Sequence, residues 1–167
     1  MSPDRAASIL ARYTAAHHSL VAALRELSAQ AAEHEPSGEG WSPAQIGCHV
    51  AIIDEWIAGV LLGTTPMAKP APAGFVESFN VNSLPARLKT SPTFEPPSVV
   101  SLEVALERLR SSGQHMSKAI ASLTPERGAN FCVTLPFGTL SLFELAEFTT
   151  GHLRRHVGQV ERTAAHV

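Results

Sequence analysis

Three histidines have the residue type and spacing of a divalent-metal site. His152 and His156 lie four residues apart in a segment with helical periodicity, so both imidazoles can point to the same side of one helix. The rest of their stripe is mainly apolar, and an imidazole without a partner there would cost about 1 to 3 kcal/mol. His49 lies on the apolar face of another predicted helix. Three imidazole nitrogens that meet between two helices would form an open site for zinc or nickel, with iron and manganese as the alternatives.

The alternative for each histidine is a structural role. A single buried histidine is more often hydrogen-bonded to its surroundings than bound to a metal, and a four-residue pair can arise by chance in a chain with eight histidines. His17 also lies on an apolar stripe, but no other polar signal surrounds it, so we interpret it as a core or rim histidine. Spacing alone therefore leaves metal binding and structural burial open.

A first amphipathic helix is predicted from Pro3 to about His34. Pro36 and Gly38 then end it. Its apolar positions recur at alternating spacings of three and four residues, which places them on one face. This stripe comprises Leu10, Tyr13, His17, Leu20, Leu24 and Leu27.

A second helix, which carries His49, is predicted from Pro43 to Gly63. Ser42 and Gln45 have the spacing of a capping box. Pro43 suits the first helical position, because its missing N–H has no helical partner there. Gly63 is typical of the residue that follows a helix.

The second half of the chain holds two more predicted helices. The third follows Pro97 and ends at Pro125, with apolar residues in heptads from Leu102 to Leu123. The fourth begins near Thr139 or Ser141 and carries His152 and His156. Its stripe comprises Leu142, Leu145, Thr149, His152, His156 and Gln159 or Val160.

Two segments are predicted to be irregular. Seven of the twelve prolines lie between Thr64 and Pro97, which excludes a long helix or a central strand there. Apolar residues alternate within 129–138, but Pro136 favours a loop over a strand. The long connection could cross a whole bundle and leave the second and third helices parallel. We therefore predict an all-α fold, a single four-helix-bundle domain over residues 1–167 with up-down-down-up topology.

Composition excludes several classes of protein. Thirteen Lys and Arg against fifteen Asp and Glu give a net charge of −2, which disfavours nucleic-acid binding. No apolar run is long enough to span a membrane, and the N-terminus lacks the apolar core of a signal peptide. Cys48 and Cys132 match no metal or redox motif, so we expect reduced thiols and a cytoplasmic protein.

Three motifs together resemble the DinB-like superfamily. They are Trp41–Pro43 with His49 shortly after, the lead-in Pro136–Thr139, and the segment Gly151–Gln159. The resemblance spans nearly the whole chain. It implies a metal-binding four-helix bundle with up-down-down-up topology. It also implies that His49, His152 and His156 bind the ion.

One position departs from the pattern of many relatives. They have two adjacent histidines at the end of the motif, whereas Arg155 precedes His156 in this chain. Any role of the additional imidazole is therefore absent.

The resemblance implies a reaction class more weakly than a fold. The superfamily includes thiol S-transferases that use bacillithiol, a mycothiol-dependent maleylpyruvate isomerase and proteins described as metal-dependent hydrolases. We expect transfer of a low-molecular-weight thiol to an electrophile, because no carboxylate lies three or four residues from a predicted ligand to act as a base. Hydrolysis and a non-catalytic bundle that binds a ligand are the alternatives, and no catalytic residue is assigned.

Other features carry weaker expectations. The partners expected are a small-molecule substrate and a second copy in a homodimer. Gln159 could contact His156, but it could equally be a polar residue near the end of a helix without a role in the site. Phe75, Phe79 and Asn80 in the Pro-rich connection could cover the site.

Overall fold

The computed structural model describes residues 4–36, 40–80 and 89–165, and these are mostly helical. A single turn of 3₁₀ helix at Pro92–Phe94 lies within the Pro-rich connection. In chain order the other elements are α1 (Asp4–Arg25), α2 (Ala29–Glu33), α3 (Pro43–Leu62), β1 (Lys69–Pro70), α4 (Leu102–Ala121), α5 (Pro125–Asn130), β2 (Phe131–Leu135), β3 (Gly138–Ser141) and α6 (Leu142–Ala164).

The four long helices are α1, α3, α4 and α6, and each packs mainly against two others. Helix α3 contacts α4 and α6, and α1 contacts the same two helices. The apolar stripes therefore face a shared core, as expected for helices that must cover narrow apolar faces. The largest fully buried side chains of the long helices are Ile9, Tyr13, Leu20, Leu24, Ile46, Ile57, Leu61, Leu109, Met116, Ile120 and Phe143.

Small residues allow the helices to approach closely. A Cβ atom on Gly47 would lie 2.9 Å from Leu24 Cδ1 and 3.3 Å from Leu109 Cδ1, so glycine lets α3 approach α1 and α4 at this point.

A polar contact joins the starts of α1 and α6. Arg5 in the first turns of α1 donates two hydrogen bonds to Glu147 in the first turns of α6, at 3.3 and 3.4 Å.

The helix ends around the predicted site residues agree with the sequence pattern. Ser42 and Gln45 form a capping box at the start of α3, and Gly63 follows α3 with a φ of +83°. A second capping box links Ser141 and Glu144 at the start of α6. The predicted positions of these two helices are therefore confirmed.

The prediction of one unbroken helix from Pro3 to His34 is wrong. Helix α1 ends at Arg25, and the short α2 begins after Ser28, whose hydroxyl accepts a hydrogen bond from Ala31 N at 3.1 Å. Pro36 follows α2, while Pro3 and Gly38 lie outside the described residues.

The prediction of a loop at 129–138 is also wrong. Strands β2 and β3 form an antiparallel hairpin in which Leu135 pairs with Gly138. Pro136 lies in the two-residue turn and not within a strand, so its missing N–H interrupts no ladder. Strand β1 adds to this hairpin, with Lys69 opposite Cys132. The Pro-rich connection thus contains one short edge strand, and its residues 81–88 lie outside the described part.

Among the residues that the structure describes, one helix has the length and apolar composition of a membrane span. This is α3, with a mean hydropathy of 1.4, but 72% of its apolar window is buried inside the protein. Packing within the helical core accounts for that composition, so the burial favours a soluble protein.

Candidate metal centre

The structure brings the three predicted ligand histidines together. His49 extends from α3, and His152 and His156 extend from successive turns of α6. The Nε2 atom of His152 lies 3.2 Å from that of His49 and 3.0 Å from that of His156. One ligand atom from each ring lies within 4.8 Å of the other two. The i, i+4 spacing and the contact between two helices therefore place three nitrogens at one point.

Two of the imidazoles are oriented by hydrogen bonds on their far side. His49 Nδ1 lies 2.8 Å from the carbonyl oxygen of Phe94, and His156 Nδ1 lies 2.7 Å from Gln159 Oε1. Carbonyl and amide oxygens only accept hydrogen bonds, so each Nδ1 must donate. In a neutral ring this leaves Nε2 unprotonated, with its lone pair directed at the shared point.

The two ring nitrogens of His152 lack suitable hydrogen-bond partners among the described protein atoms. Its Nδ1 is buried and has no hydrogen-bond partner among the described residues, and its Nε2 faces two other nitrogens. A single proton on His152 Nε2 could be shared with only one of those nitrogens at a time. A cation at the shared point would contact all three.

The spacing also fits a metal ion. Two nitrogens bound to one tetrahedral zinc at about 2.0 to 2.1 Å lie about 3.3 Å apart. The two Nε2 separations at His152, 3.2 and 3.0 Å, are close to this value. The donor set, which is three imidazoles without a carboxylate or thiolate, suits zinc, nickel, copper and iron better than magnesium or calcium.

The surroundings keep all three rings neutral. Burial lowers the pKa of His152 well below its usual value, and the neighbouring imidazoles and Arg155 lower it further. Burial and His49 lower the pKa of His156 to about 4, although the contact with Gln159 acts in the opposite direction. Burial also lowers the pKa of His49. Neutral imidazole is the form that binds metal, so the site is ready to accept an ion at neutral pH.

Aromatic rings line the site. The Trp41 ring lies 4.8 Å from that of His49, and the Phe148 ring lies 5.6 Å from that of His152. Phe94, whose carbonyl oxygen contacts His49, places its own ring 5.5 Å from Trp56. The imidazoles therefore lie in mainly apolar surroundings, which strengthens interactions with a bound charge.

Four carboxylates of the two ligand-bearing helices have other partners. Asp54 accepts a hydrogen bond from Tyr13 at 2.7 Å, and Glu55 pairs with His115 at 2.8 Å. Glu144 caps α6, and Glu147 binds Arg5. Within the described ranges, none of these four side chains is hydrogen-bonded to a site imidazole.

Two other polar residues lie apart from the three histidines. His17 is partly buried, and its Nε2 lies 2.8 Å from the carbonyl oxygen of Leu109, which agrees with its interpretation as a core or rim histidine. Cys48 is buried, and its sulfur contacts Arg108 and not the histidines.

The sequence pattern did not indicate two contacts of the site. The carbonyl of Phe94 belongs to the short 3₁₀ helix within the Pro-rich connection, and any residue type could have supplied it. Phe148 lies four residues before His152 on α6, so helical spacing could have identified it as a neighbour. The contact between Gln159 and His156 was one of two readings, and the structure contains it.

Comparison with known proteins identifies the family of this chain. No curated protein and no solved structure gives a significant match. A family model described as the DinB superfamily matches residues 12–160, which include α3, α4 and most of α1 and α6. The chain belongs to the DinB superfamily.

Proposed function

We propose that this chain is a metal-dependent enzyme that transfers a low-molecular-weight thiol to an electrophile. His49, His152 and His156 would hold the divalent ion, with zinc or nickel as the favoured ions and iron or manganese as alternatives. The observation that carries the proposal is the convergence of three Nε2 atoms, two of them fixed as acceptors by hydrogen bonds on Nδ1. When bound, the ion would supply the positive charge that favours the thiolate form of a thiol near neutral pH.

The charges around the imidazoles favour thiol transfer over hydrolysis. Arg155 acts on both His152 and His156. The four carboxylates described above, on the same two helices, pair with other residues. A bound ion would lower the pKa of both a thiol and a water molecule, but a free thiol already loses its proton far more readily than water, so thiol transfer depends less on a protein base. The positive charge of Arg155 also favours an anionic nucleophile over a neutral one.

We also propose the up-down-down-up order for α1, α3, α4 and α6, in one domain over residues 1–167. Gly47 near the start of α3 lies close to Leu24 at the end of α1 and to Leu109 in the first half of α4. Arg5 and Glu147 join the starts of α1 and α6. These contacts support parallel α3 and α4, with α1 and α6 running in the opposite direction. A homodimer and a cytoplasmic location stay predictions from the sequence.

Metal analysis tests the premise of the proposed function. Protein purified without a metal-affinity column or chelator is expected to contain close to one ion per chain by inductively coupled plasma mass spectrometry. His49→Ala, His152→Ala and His156→Ala should each lose most of it. His115→Ala is the matched control, since this histidine pairs with Glu55 and lies outside the site. A metal-free wild-type protein that also fails to take up zinc or nickel on dialysis would exclude the proposed mechanism.

A thiol assay then tests the reaction class. The metal-loaded protein is incubated with a panel of low-molecular-weight thiols and an alkylating electrophile, and the loss of free thiol is measured. Acceleration that depends on the three histidines supports thiol transfer. Release of acid from esters without any thiol would instead support hydrolysis. Absence of both activities in loaded protein would favour the non-catalytic alternative.

A further inference from the structure

Three phenylalanines form a continuous apolar wall beside the histidine site. The Phe137 and Phe148 rings lie 5.5 Å apart with an interplanar angle of 26°, and the Phe148 and His152 rings lie 5.6 Å apart at 24°. Phe79 is tilted against both phenylalanines at 5.9 and 6.1 Å. Phe79, Phe137 and Phe148, here called the aromatic wall, thus lead directly to one of the site imidazoles.

Each ring of the aromatic wall comes from a different part of the fold. Phe148 is on α6, Phe137 lies in the turn between β2 and β3, and Phe79 follows β1 in the Pro-rich connection. Phe148 is buried, whereas Phe79 and Phe137 are only partly buried. Turn residues are usually polar or small, so a phenylalanine at a two-residue turn is not required by the hairpin itself.

The segment that carries Phe79 is anchored at Phe79 and at Glu77. Phe79 N donates a hydrogen bond to the buried Glu144 Oε1 at 2.6 Å. Two residues earlier, Glu77 forms an ion pair with Arg5 at 2.8 Å and accepts a hydrogen bond from the Ser141 hydroxyl. Although burial alone would raise the pKa of Glu77, these hydrogen bonds lower it, so Glu77 stays ionised at neutral pH. The aromatic wall is therefore held in place before any ligand binds.

We propose that the aromatic wall binds the flat, aromatic portion of the substrate next to the metal centre. The proposal rests on the proposed function, because the aromatic wall borders His152. It limits the candidate electrophiles to compounds that contain an aromatic ring. Phe79 and Phe137 are only partly buried, so their aromatic rings are available to such a compound, and apolar walls with few polar groups are typical of small-molecule sites. Phe79 and Phe137 would set specificity, since they are the members of the wall with exposed surface.

Binding of 1-naphthol and of its saturated analogue decahydro-1-naphthol tests this proposal. Dissociation constants are measured by NMR titration of the metal-loaded and the chelator-treated wild-type protein. We expect 1-naphthol to bind more tightly than the saturated compound, because only the aromatic compound can stack. Intermolecular NOEs from 1-naphthol to the rings of Phe79 or Phe137 should locate it in the unmodified protein.

Conservative variants isolate the contribution of the rings. Phe137→Leu and Phe79→Leu keep an apolar side chain and should each weaken 1-naphthol binding about two- to tenfold. Phe75→Leu is the matched control, because Phe75 lies in the same segment and makes no ring contact within the described residues. The proposal is overturned if wild type does not bind 1-naphthol, if the saturated analogue binds equally well, or if Phe75→Leu has the same effect as the other two.

The metal content of each variant separates this proposal from the proposed function. Phe137→Leu and Phe79→Leu are expected to retain the wild-type amount of metal, since the rings of these residues pack against each other and against Phe148, and the three ligand nitrogens are positioned by α3 and α6. Normal metal content without ring-dependent binding would refute the proposal that the aromatic wall binds substrate, but it would not affect the proposed function. Ring-dependent binding in a chain that takes up no metal refutes the proposed function and leaves the binding surface standing.

Discussion

Asp54 makes the stability of this protein depend on pH in a way that can be calculated. Its side chain is fully buried, Oδ2 accepts a hydrogen bond from the Tyr13 hydroxyl at 2.7 Å, and Oδ1 has no partner among the described residues. Burial raises the pKa of Asp54 from 3.8 to about 7, and the negative charge of Glu55 adds to this, while the Tyr13 hydrogen bond acts against it. The folded protein therefore keeps a proton that the unfolded chain has already lost.

The expected effect follows from the difference in bound protons. Below pH 3.8 both states hold the proton on Asp54, so it does not contribute to pH dependence. Between pH 3.8 and about 7 only the folded state holds it, and the free energy of unfolding falls by about 1.4 kcal/mol per pH unit. The total loss is about 4 kcal/mol, and it is complete above pH 7. Asp54→Asn has no such proton, so its stability relative to wild type should rise by about 4 kcal/mol from pH 4 to pH 7.5.

Urea unfolding followed by circular dichroism between pH 4 and pH 8 measures this difference. Comparison of the variant with wild type cancels the contributions of the histidines and other carboxylates, which both proteins share. Glu35→Gln, which removes an exposed carboxylate, is the control and should follow wild type. Parallel stability curves for wild type and Asp54→Asn over this range would refute the reasoning, because they would show that Asp54 titrates equally in both states.

Two further substitutions test contacts of His156 in the candidate site and of His17 outside it. Gln159→Ala removes the acceptor of His156 Nδ1 and should weaken zinc binding about 10- to 100-fold in isothermal titration calorimetry, with unchanged affinity counting against an orienting role. Gly113→Ala would place a Cβ 2.5 Å from His17 Nε2, so it should lower the free energy of unfolding by about 1 to 3 kcal/mol. Gly158→Ala is its control, because the nearest atom, 3.1 Å away, is the flexible end of Arg162; equal destabilisation of both variants would contradict the steric argument.

Local signals in the sequence are sufficient to predict the parts of the candidate site that lie on one helix. The four-residue spacing of His152 and His156 and the capping residue Ser141 are properties of α6 alone, and both were predictable. The approach of His49 depends on how two distant helices pack, which spacing within either helix does not determine. Its carbonyl partner, Phe94, carries no signal in its side chain because every residue has a backbone oxygen.

The two errors about the fold have physical causes. Residues 25–28 include good helix formers and continue the helical pattern, so the sequence pattern does not reveal that α1 ends at Arg25. In the structure, Ser28 caps a separate helix, α2. Proline disfavours a strand only where its missing N–H would have to donate to the hydrogen-bond ladder between strands. In the hairpin Pro136 occupies the turn, where no donor is needed.

The contact between Arg5 and Glu147 joins residues 142 positions apart, so the first helix finds its partner in the last. At roughly 5 to 20 residues per second, a ribosome would need on the order of ten seconds to make the chain between them. During that time one flank of α1, with its apolar stripe, lacks the surface it covers in the finished molecule. Nascent chains of this protein should therefore be clients for chaperones until the final helix has emerged.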